Sequence, residues 1–491
     1  MKNLLYFLGL ALTFGLTSCA DFLDEPQPAQ SLPSNTAFTT GQDIENGLVG
    51  AYNAAQASDL FGCNLVMSSD IMADNGEWRG SFPSFVDMYN QALTADNAEV
   101  EGIWRDGYRT INHANLVIEA VASVDDPAMT QEMADRLRGE GLFLRGATHF
   151  EIVRYLGKPY GPNSSSDPGI PLMTSAVSSS DDISFPSRAT VAEVYAQAIA
   201  DLTEAANLLP ESNGYGRANS FAAKAYLAEI AFQQGDYDNA ATLAADVMAG
   251  PFQLTDDPAG FFVSEGSAEE IWAVVHTAQD NPGVNGSLPT FHHVSGRGGD
   301  VVVATDLVDN GYNMIVTGDQ SAAISAAGYT VEDLRFTQLT SSGNPPTINI
   351  EKYEQFANND DDAPILRLAE FMLMRAEALA RVNGVNQESV DLLNSIRSRA
   401  LRLIDGDGNV VVGEDALFNY ATDDFASADD LIEAIILERR VELAFEGNRF
   451  HDLCRLQRDV KGTPFDADKL RWPLPQRDLD ANPNLEQNPG Y

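Results

Sequence analysis

Apolar residues recur every three to four positions over nine stretches of the chain, which is the spacing of one face of an α-helix. These predicted helices cover residues 41–57, 100–124, 131–155, 190–209, 220–234, 237–249, 365–382, 389–403 and 429–446. Thr190 and Glu193 have the spacing of a capping box, so a helix is expected to begin just after Thr190. Pro210 then favours the end of that helix at Leu209.

The helices at 220–234 and 237–249 are separated only by Gly235 and Asp236. Small residues face each other across this turn, with Ala231 on the first helix and Ala240 on the second. Two antiparallel helices can therefore approach closely, as they do in a tetratricopeptide repeat. A looser pair is expected within 366–400. Because such hairpins bury their apolar faces only by stacking, the pattern predicts a mostly α fold on a tetratricopeptide-like scaffold.

Three segments interrupt this helical pattern and are rich in glycine, asparagine, aspartate or proline. They are expected at residues 61–97, 251–354 and 406–426, as insertions in one α-helical domain that spans 41–491. A β-branched run, Val301–Val303, predicts a short strand within the second insertion. Long irregular segments in a compact domain are usually functional or disordered.

The first residues resemble an export signal, because Lys2 precedes an apolar run over 4–16. Small residues then lead directly into Cys19. We therefore expect a signal peptide at 1–18, lipidation with palmitate-type acyl chains at Cys19 and a polar tether up to residue 40. An ordinary signal peptide followed by an unrelated cysteine is the alternative. Several acyl chains would anchor the protein durably to a membrane that it does not span.

The formal net charge is −42, from 72 acidic and 30 basic residues. Nucleic acid is excluded as a partner, because it needs a basic surface. Polyanionic ligands are disfavoured unless an arginine-lined pocket reverses the local sign. Two cysteines remain besides Cys19. Either Cys63 and Cys454 are buried free thiols, or they pair in a disulfide.

No catalytic motif is present: the chain lacks HExxH, P-loop, CxxC and GxSxG sequences, so an enzyme is not expected. No cofactor or metal is predicted either. One segment, Asp405 to Asn409, begins like a calcium loop, but Ala416 occupies the position of the required glutamate. A β-turn between two β-branched runs explains its glycines and is preferred, with Ca²⁺ as the alternative.

Trp78 is the best candidate for a ligand-binding residue, because it lies in an insertion beside Asp74, Asn75 and Arg79. An aromatic ring stacks on the apolar face of a sugar, while amide, carboxylate and guanidinium groups hold the hydroxyls. The other three tryptophans are expected in the core. The second insertion supplies weaker candidates, which are Phe291, His292, Arg297 and Tyr312.

The sequence ERRVELAFEGNRFHDLCR, at 438–455, combines charged pairs with a narrow apolar stripe. This spacing predicts that Arg439 pairs with Glu442, and Glu446 with Arg449, on one polar face of a helix. This run closely resembles the C-terminal signature of the SusD/RagB family. The resemblance extends to the end of the chain, RWPLPQRDLDANPNLEQNPGY, and to CADFLD at 19–24.

This resemblance implies a mostly α, SusD-like lipoprotein of the Bacteroidetes outer membrane that faces the cell exterior. Such a protein captures a nutrient, here most simply an oligosaccharide, and delivers it to a SusC-like TonB-dependent transporter that it caps like a lid. The RagB branch suggests a peptide ligand instead. A surface hydrolase and a scaffold without a ligand are the remaining alternatives. The signature residues do not identify the ligand site, so no site residue is transferred from the family.

Overall fold

The computed structural model describes residues 37–262, 266–343 and 347–491. Cys19, the predicted signal peptide and the predicted tether up to residue 36 lie outside the described residues. The α-helices are α1 (Gly41–Ala55), α2 (Asn64–Met72), α3 (Pro83–Tyr89), α4 (Ala98–Ser123), α5 (Gln131–Leu156), α6 (Val191–Leu208), α7 (Ser220–Gln234), α8 (Tyr237–Met248), α9 (Leu288–His292), α10 (Val294–Arg297), α11 (Thr305–Asn310), α12 (Gly318–Ala326), α13 (Leu334–Thr337), α14 (Leu368–Asn383), α15 (Gln387–Ala400), α16 (Ala428–Glu442), α17 (Arg449–Arg455) and α18 (Gln476–Ala481).

The β-structure consists of short antiparallel pairings between the helices. The strands are β1 (Gly76–Trp78), β2 (Glu270–Val274), β3 (Val301–Val303), β4 (Thr330–Asp333), β5 (Thr340–Ser342), β6 (Ile348–Ile350), β7 (Ala363–Arg367), β8 (Leu401–Ile404) and β9 (Val410–Val411). β1 pairs with β3, β2 with β7, β5 with β6, and β8 lies between β4 and β9. The strand predicted at Val301–Val303 is therefore confirmed.

The long helices pack against one another largely in chain order. α1 lies on α4, and from α4 to α8 each long helix packs on the next. α8 then packs directly on α14, which also contacts α15 and α16. The chain between α8 and α14 leaves this stack and returns to it. The mostly α, tetratricopeptide-like scaffold with a long excursion is thus confirmed.

Glycines on α5 explain why this helix can lie between two neighbours. A Cβ atom on Gly146 would lie 3.0 Å from the Leu202 side chain and 3.2 Å from the Ala198 carbonyl oxygen, both on α6. A Cβ on Gly141 would lie 3.0 Å from Ile118 on α4. Both neighbours therefore pack onto the α5 backbone itself, as the small residues of stacked hairpins allow.

The helix ends follow local chemistry. Thr190 accepts a hydrogen bond from the Glu193 amide and the Glu193 side chain reaches back, which confirms the predicted capping box of α6. Gly235 adopts a left-handed conformation, φ 74°, in the turn between α7 and α8. Within the described residues, no helix combines the length and the apolarity that crossing a bilayer requires.

Three stretches expected to be helical are not. Residues 365–367 belong to β7, and 401–403 belong to β8, because pairing with neighbouring strands overrides an apolar spacing that suits either structure. α16 ends at Glu442, and Phe445 has φ 68°, so 443–446 forms a turn.

Two further predictions are decided by local contacts. The β-turn before Val410 is confirmed, since Asp405 Oδ1 accepts hydrogen bonds from the amides of Asp407 and Asn409. Cys63 and Cys454 are buried free thiols, so the disulfide alternative is excluded in this structure.

Candidate functional site

The first two insertions meet in a short antiparallel ribbon made of β1 and β3. Trp78 pairs with Val301 and Gly76 with Val303. The ribbon continues at both ends, because the Arg79 amide donates to the Asp300 carbonyl at 2.7 Å and the Ala304 amide donates to the Asn75 carbonyl at 2.8 Å. Residues more than 200 positions apart in sequence are thereby brought to one place.

An aromatic cluster packs against this ribbon. The Trp78 ring lies 4.8 Å from Phe85 and 5.9 Å from Phe291, between ring centroids. Trp78 is only 7% exposed and Phe291 is fully buried. The Trp78 indole N–H has no acceptor among the described residues. Trp78 and Phe291, both predicted from sequence, therefore belong to one cluster, and their contact with a ligand stays a prediction.

The outer end of the cluster carries polar groups. The Arg297 guanidinium lies 4.5 Å from the ring centroid of Phe82, which is only partly buried. Arg297 also donates to Asp300 and to Asn285, both at 2.6 Å. Arg79 is exposed and pairs with Glu77 at 3.0 Å, on the face of the ribbon opposite Trp78, because successive side chains of a strand alternate. The Phe82 ring and the Arg297 guanidinium thus lie side by side at a surface, as sugar recognition requires.

The side chains of Asp74 and Asn75 are bound by two arginines of the C-terminal signature. Arg449 donates to both Asp74 oxygens, at 2.6 and 2.8 Å, and Arg440 donates to Asn75 Oδ1 at 3.0 Å. Burial opposes the charge of Asp74, but Arg449 and Arg440 outweigh it and lower its pKa. Both side chains are already engaged within the protein. Their role in ligand binding stays a prediction.

Tyr312 does not belong to the aromatic cluster but lines a separate cavity. That cavity measures about 360 Å³ and also borders Val331, Asp333 and Phe336. The rings of Tyr312 and Phe336 are 5.1 Å apart, and Tyr312 is 8% exposed. The sequence grouped Tyr312 with Phe291 because both lie in one insertion, but the fold separates their surroundings. Its ligand role stays a prediction.

Two adjacent histidines, His292 and His293, lie at the end of α9. His292 is buried, and its Nδ1 is 2.8 Å from the Leu288 carbonyl oxygen. Burial lowers its pKa to about 4, so it is neutral at physiological pH. His293 instead reaches Glu351, with 2.7 Å between Nε2 and Oε2.

A second concavity, of about 400 Å³, was not anticipated from the sequence. It lies where the second insertion returns to the helical stack. Its walls include Phe262, Tyr353 and Asp361. The signal for it was the acidic run 360–362, which follows two asparagines. Such a run is usually a solvated surface, and only the fold places it beside aromatic rings.

Asp361 should make stability depend on pH near neutrality. Burial, with the charges of Asp360 and Asp362, raises its pKa to about 7, whereas an unfolded aspartate has a pKa of about 3.9. The folded state therefore holds the extra proton, and this contribution to stability is lost as pH rises from about 4 to about 7. Urea unfolding at pH 5 and pH 8 should show a smaller loss for Asp361→Asn than for wild type. An equal loss would contradict the assignment.

The signature at 438–455 is buried rather than solvated, which corrects the predicted charge pairs. Arg439 pairs with Glu370 and Asp452, both at 2.9 Å, rather than with Glu442. Glu446 pairs with Lys352 and Arg367, and Arg449 with Asp74. The helical spacing was right for α16, but its charged face packs against other elements. Its partners therefore come from distant parts of the chain.

Glu442 lies at the centre of this buried network. Three guanidiniums surround its carboxylate: Arg399, Arg367 at 2.8 Å and Arg335 at 3.5 Å. Burial opposes ionisation, but the three positive charges outweigh it and hold the pKa of Glu442 well below its usual range. Through Glu442, the signature therefore joins α16 to β7, α13 and α15 by buried ion pairs.

Comparison with known proteins agrees with this architecture. Residues 21–232 match the family described as "Starch-binding associating with outer membrane", and residues 348–469 match the SusD family. The second match contains the buried signature. The chain belongs to the SusD/RagB family. Proteins of the SusD family are binding proteins rather than enzymes, and they associate with the outer membrane.

Relatives of the SusD family match along the whole chain. SusD-like protein P2 of Formosa agariphila is 27% identical over the full length of both chains. A crystal structure described as a putative sugar binding protein from Bacteroides vulgatus is 25% identical, with a TM-score of 0.74, and covers 93% of this chain and 100% of its own. A SusD superfamily protein from Bacteroides thetaiotaomicron is 22% identical, with a TM-score of 0.77, over 92% of this chain and 100% of its own.

Proposed function

We propose that this protein captures an oligosaccharide at the outer surface of the cell and delivers it to a SusC-like TonB-dependent transporter. The observation that carries the proposal is the surface where the first two insertions meet, with partly buried Phe82 beside Arg297 and with exposed Arg79 at the end of the ribbon. The similarity to a putative sugar binding protein supports the same ligand class. No catalytic role is proposed for any residue.

The residues at this surface have different roles in the proposal. Phe82 and Arg297 face the sugar, with Phe82 offering a ring and Arg297 donating to hydroxyls. Trp78 and Phe291 form the floor beneath these two residues, and Arg79 donates to the sugar from the end of the ribbon. Because Arg79 and Arg297 are each paired with a carboxylate, Glu77 and Asp300, the surface favours neutral over polyanionic glycans.

The location is part of the same proposal. Lipid chains on Cys19 anchor the protein to the outer membrane, with the body facing the cell exterior. The partner is a transporter barrel, which the protein caps. Co-purification from native membranes is expected to recover the barrel together with this protein. Recovery of the protein alone, under conditions that preserve other membrane complexes, would contradict the partnership.

Calorimetry of the mature protein with a panel of neutral and acidic polysaccharides tests the ligand. Arg79→Ala should weaken binding of the best neutral glycan by roughly 10- to 100-fold, because a hydrogen bond from a charged group contributes about 1.5–3 kcal/mol. Arg458→Ala is the matched control, since Arg458 is also an exposed arginine paired with a glutamate.

The control should bind like wild type, and neither variant should change stability, because exposed ion pairs contribute little. Binding of peptides but of no glycan would replace the sugar by a peptide as the ligand. Glycan binding that is unaffected by Arg79→Ala would place the site elsewhere, with the cavity beside Asp361 as the next candidate.

A further inference from the structure

The ribbon that carries the proposed surface is too short to hold its own shape. β1 and β3 contribute three residues each. An isolated two-stranded sheet is marginal in water even when it is longer. The geometry of the surface must therefore be fixed by contacts from outside the ribbon.

Arg440, on α16, contacts the segment before β1 and the segment after β3, which lie at the same end of the ribbon. On the β1 side, it donates to the Asp74 carbonyl oxygen at 3.2 Å and to Asn75 Oδ1 at 3.0 Å. On the β3 side, it donates to Asp306 Oδ2 at 2.7 Å, on the helix that follows the strand. One planar guanidinium thus bridges the segment before β1 and the segment after β3, which a lysine could not do.

Arg449, at the start of α17, adds a second contact on the β1 side. Its two nitrogens bind the two oxygens of Asp74, in the paired geometry that makes arginine–carboxylate contacts specific. The turn before α17 is itself held by this region, since Asp70 accepts hydrogen bonds from the amides of Phe445 and Gly447 at 3.1 and 3.0 Å. The turn is therefore held by α2, and Arg449, which follows the turn, binds Asp74, just before β1.

We propose that Arg440 and Arg449 are positioning residues for ligand binding, which set the geometry of the ribbon without reaching the ligand. Both are buried, with 7% and 8% exposure. This inference rests on the proposed function and gives the C-terminal signature a role in it. Ligand affinity depends on these arginines through the position of Arg79 and the packing of Trp78.

Hydrogen exchange of the mature protein tests the positioning directly, without a ligand. In Arg440→Lys and Arg449→Lys, the amides of Arg79 and Ala304, which close the two ends of the ribbon, should exchange at least about tenfold faster. Arg455→Lys is the matched control, because Arg455 is a buried signature arginine that binds Glu377 and Asp452, away from the ribbon. It should leave both amides at wild-type rates.

A milder variant covers the case in which a buried lysine prevents folding. Asp306→Asn removes a half-exposed partner of Arg440, and it should speed exchange at Ala304 more than at Arg79. Wild-type exchange at both amides in all of these variants would overturn the proposal. Equal acceleration of the two amides by Arg455→Lys would overturn it as well, since the effect would then be a general loss of stability.

Affinity provides the second readout. For a glycan that wild type binds, Arg440→Lys and Arg449→Lys should weaken binding at least about tenfold, and Arg455→Lys should not. Unchanged affinity despite faster exchange would overturn the positioning role. If wild type binds no glycan, the proposed function fails, while the exchange rates still decide whether the two arginines hold the ribbon.

Discussion

Replacing Glu442 by glutamine is expected to lower the free energy of unfolding by about 3–5 kcal/mol, because it removes one partner from a buried ion network. Glu442 is 3% exposed and is surrounded by Arg335, Arg367 and Arg399. Glutamine keeps the shape of the side chain but loses its negative charge. Its amide nitrogen would also bring two N–H donors towards guanidiniums that can only donate.

Glu229 provides a matched control, with the same chemical change in a similarly buried place. It shares Arg154 with Glu151, so two carboxylates face one guanidinium. Burial raises the pKa of Glu229 to about 8, although Arg154 partly offsets this. Glu229 therefore favours its charged form less than Glu442 does, and Glu229→Gln should lower the free energy of unfolding less than Glu442→Gln does.

Urea unfolding at pH 7, followed by tryptophan fluorescence, distinguishes these two outcomes. The Glu442→Gln midpoint should fall far below that of wild type, while the Glu229→Gln midpoint should fall less. Equal midpoints for the two variants would contradict the different preferences for the charged form assigned to the two carboxyl groups.

Replacing Trp78 by alanine is the second change with a large expected effect. The indole is 7% exposed and packs on Phe85 and Phe291, so truncation leaves a cavity that costs about 3–5 kcal/mol. The loss of stability should be confined to the first two insertions and should not extend to the helical stack. Hydrogen exchange should therefore show lost protection around the ribbon, with protection retained in α5 and α7.

Trp78→Phe is the control for this prediction. It keeps an aromatic ring in the cluster and removes an indole N–H that has no acceptor among the described residues. Leaving such a donor unpaired costs about 1–3 kcal/mol, so its removal offsets part of the lost packing. Trp78→Phe should be clearly more stable than Trp78→Ala. Equal destabilisation by both variants would show that the ring packing contributes little.

This prediction also changes how a binding assay on Trp78 is interpreted. The residues around Trp78 in the sequence have the composition of a ligand site, but other side chains cover its ring in the structure. A loss of glycan binding in Trp78→Ala would follow from a disturbed ribbon as well as from a lost stacking contact. Arg79 is the better probe of the surface, because its side chain is exposed and its removal leaves no cavity.

Helical spacing predicted the stack well because it is a local property. For α7, residues 220–234 were expected and Ser220–Gln234 is observed, and the turn at Gly235 follows from its left-handed conformation. The same spacing misassigned 365–367 and 401–403, where short apolar runs suit a helix or a strand equally well. Pairing with β2 and β4 decided those cases.

The candidate site was predictable only in part. Trp78 and Phe291 could be selected because aromatic residues in polar insertions are a compositional signal, but their mutual contact was not visible. Asp74 and Asn75 were selected for the same reason, and the structure shows them bound to Arg449 and Arg440. A carboxylate beside a tryptophan looks the same in sequence whether it awaits a ligand or an arginine.

By itself, the sequence determined the helical scaffold and the family, because spacing, turn residues and motifs are local along the chain. Only the tertiary structure decided that the charged signature is buried, which partners its residues take, and that two insertions form one surface. The physical reason is that burial and ion pairing depend on what packs opposite a residue. For Arg440, those partners lie more than 130 positions away.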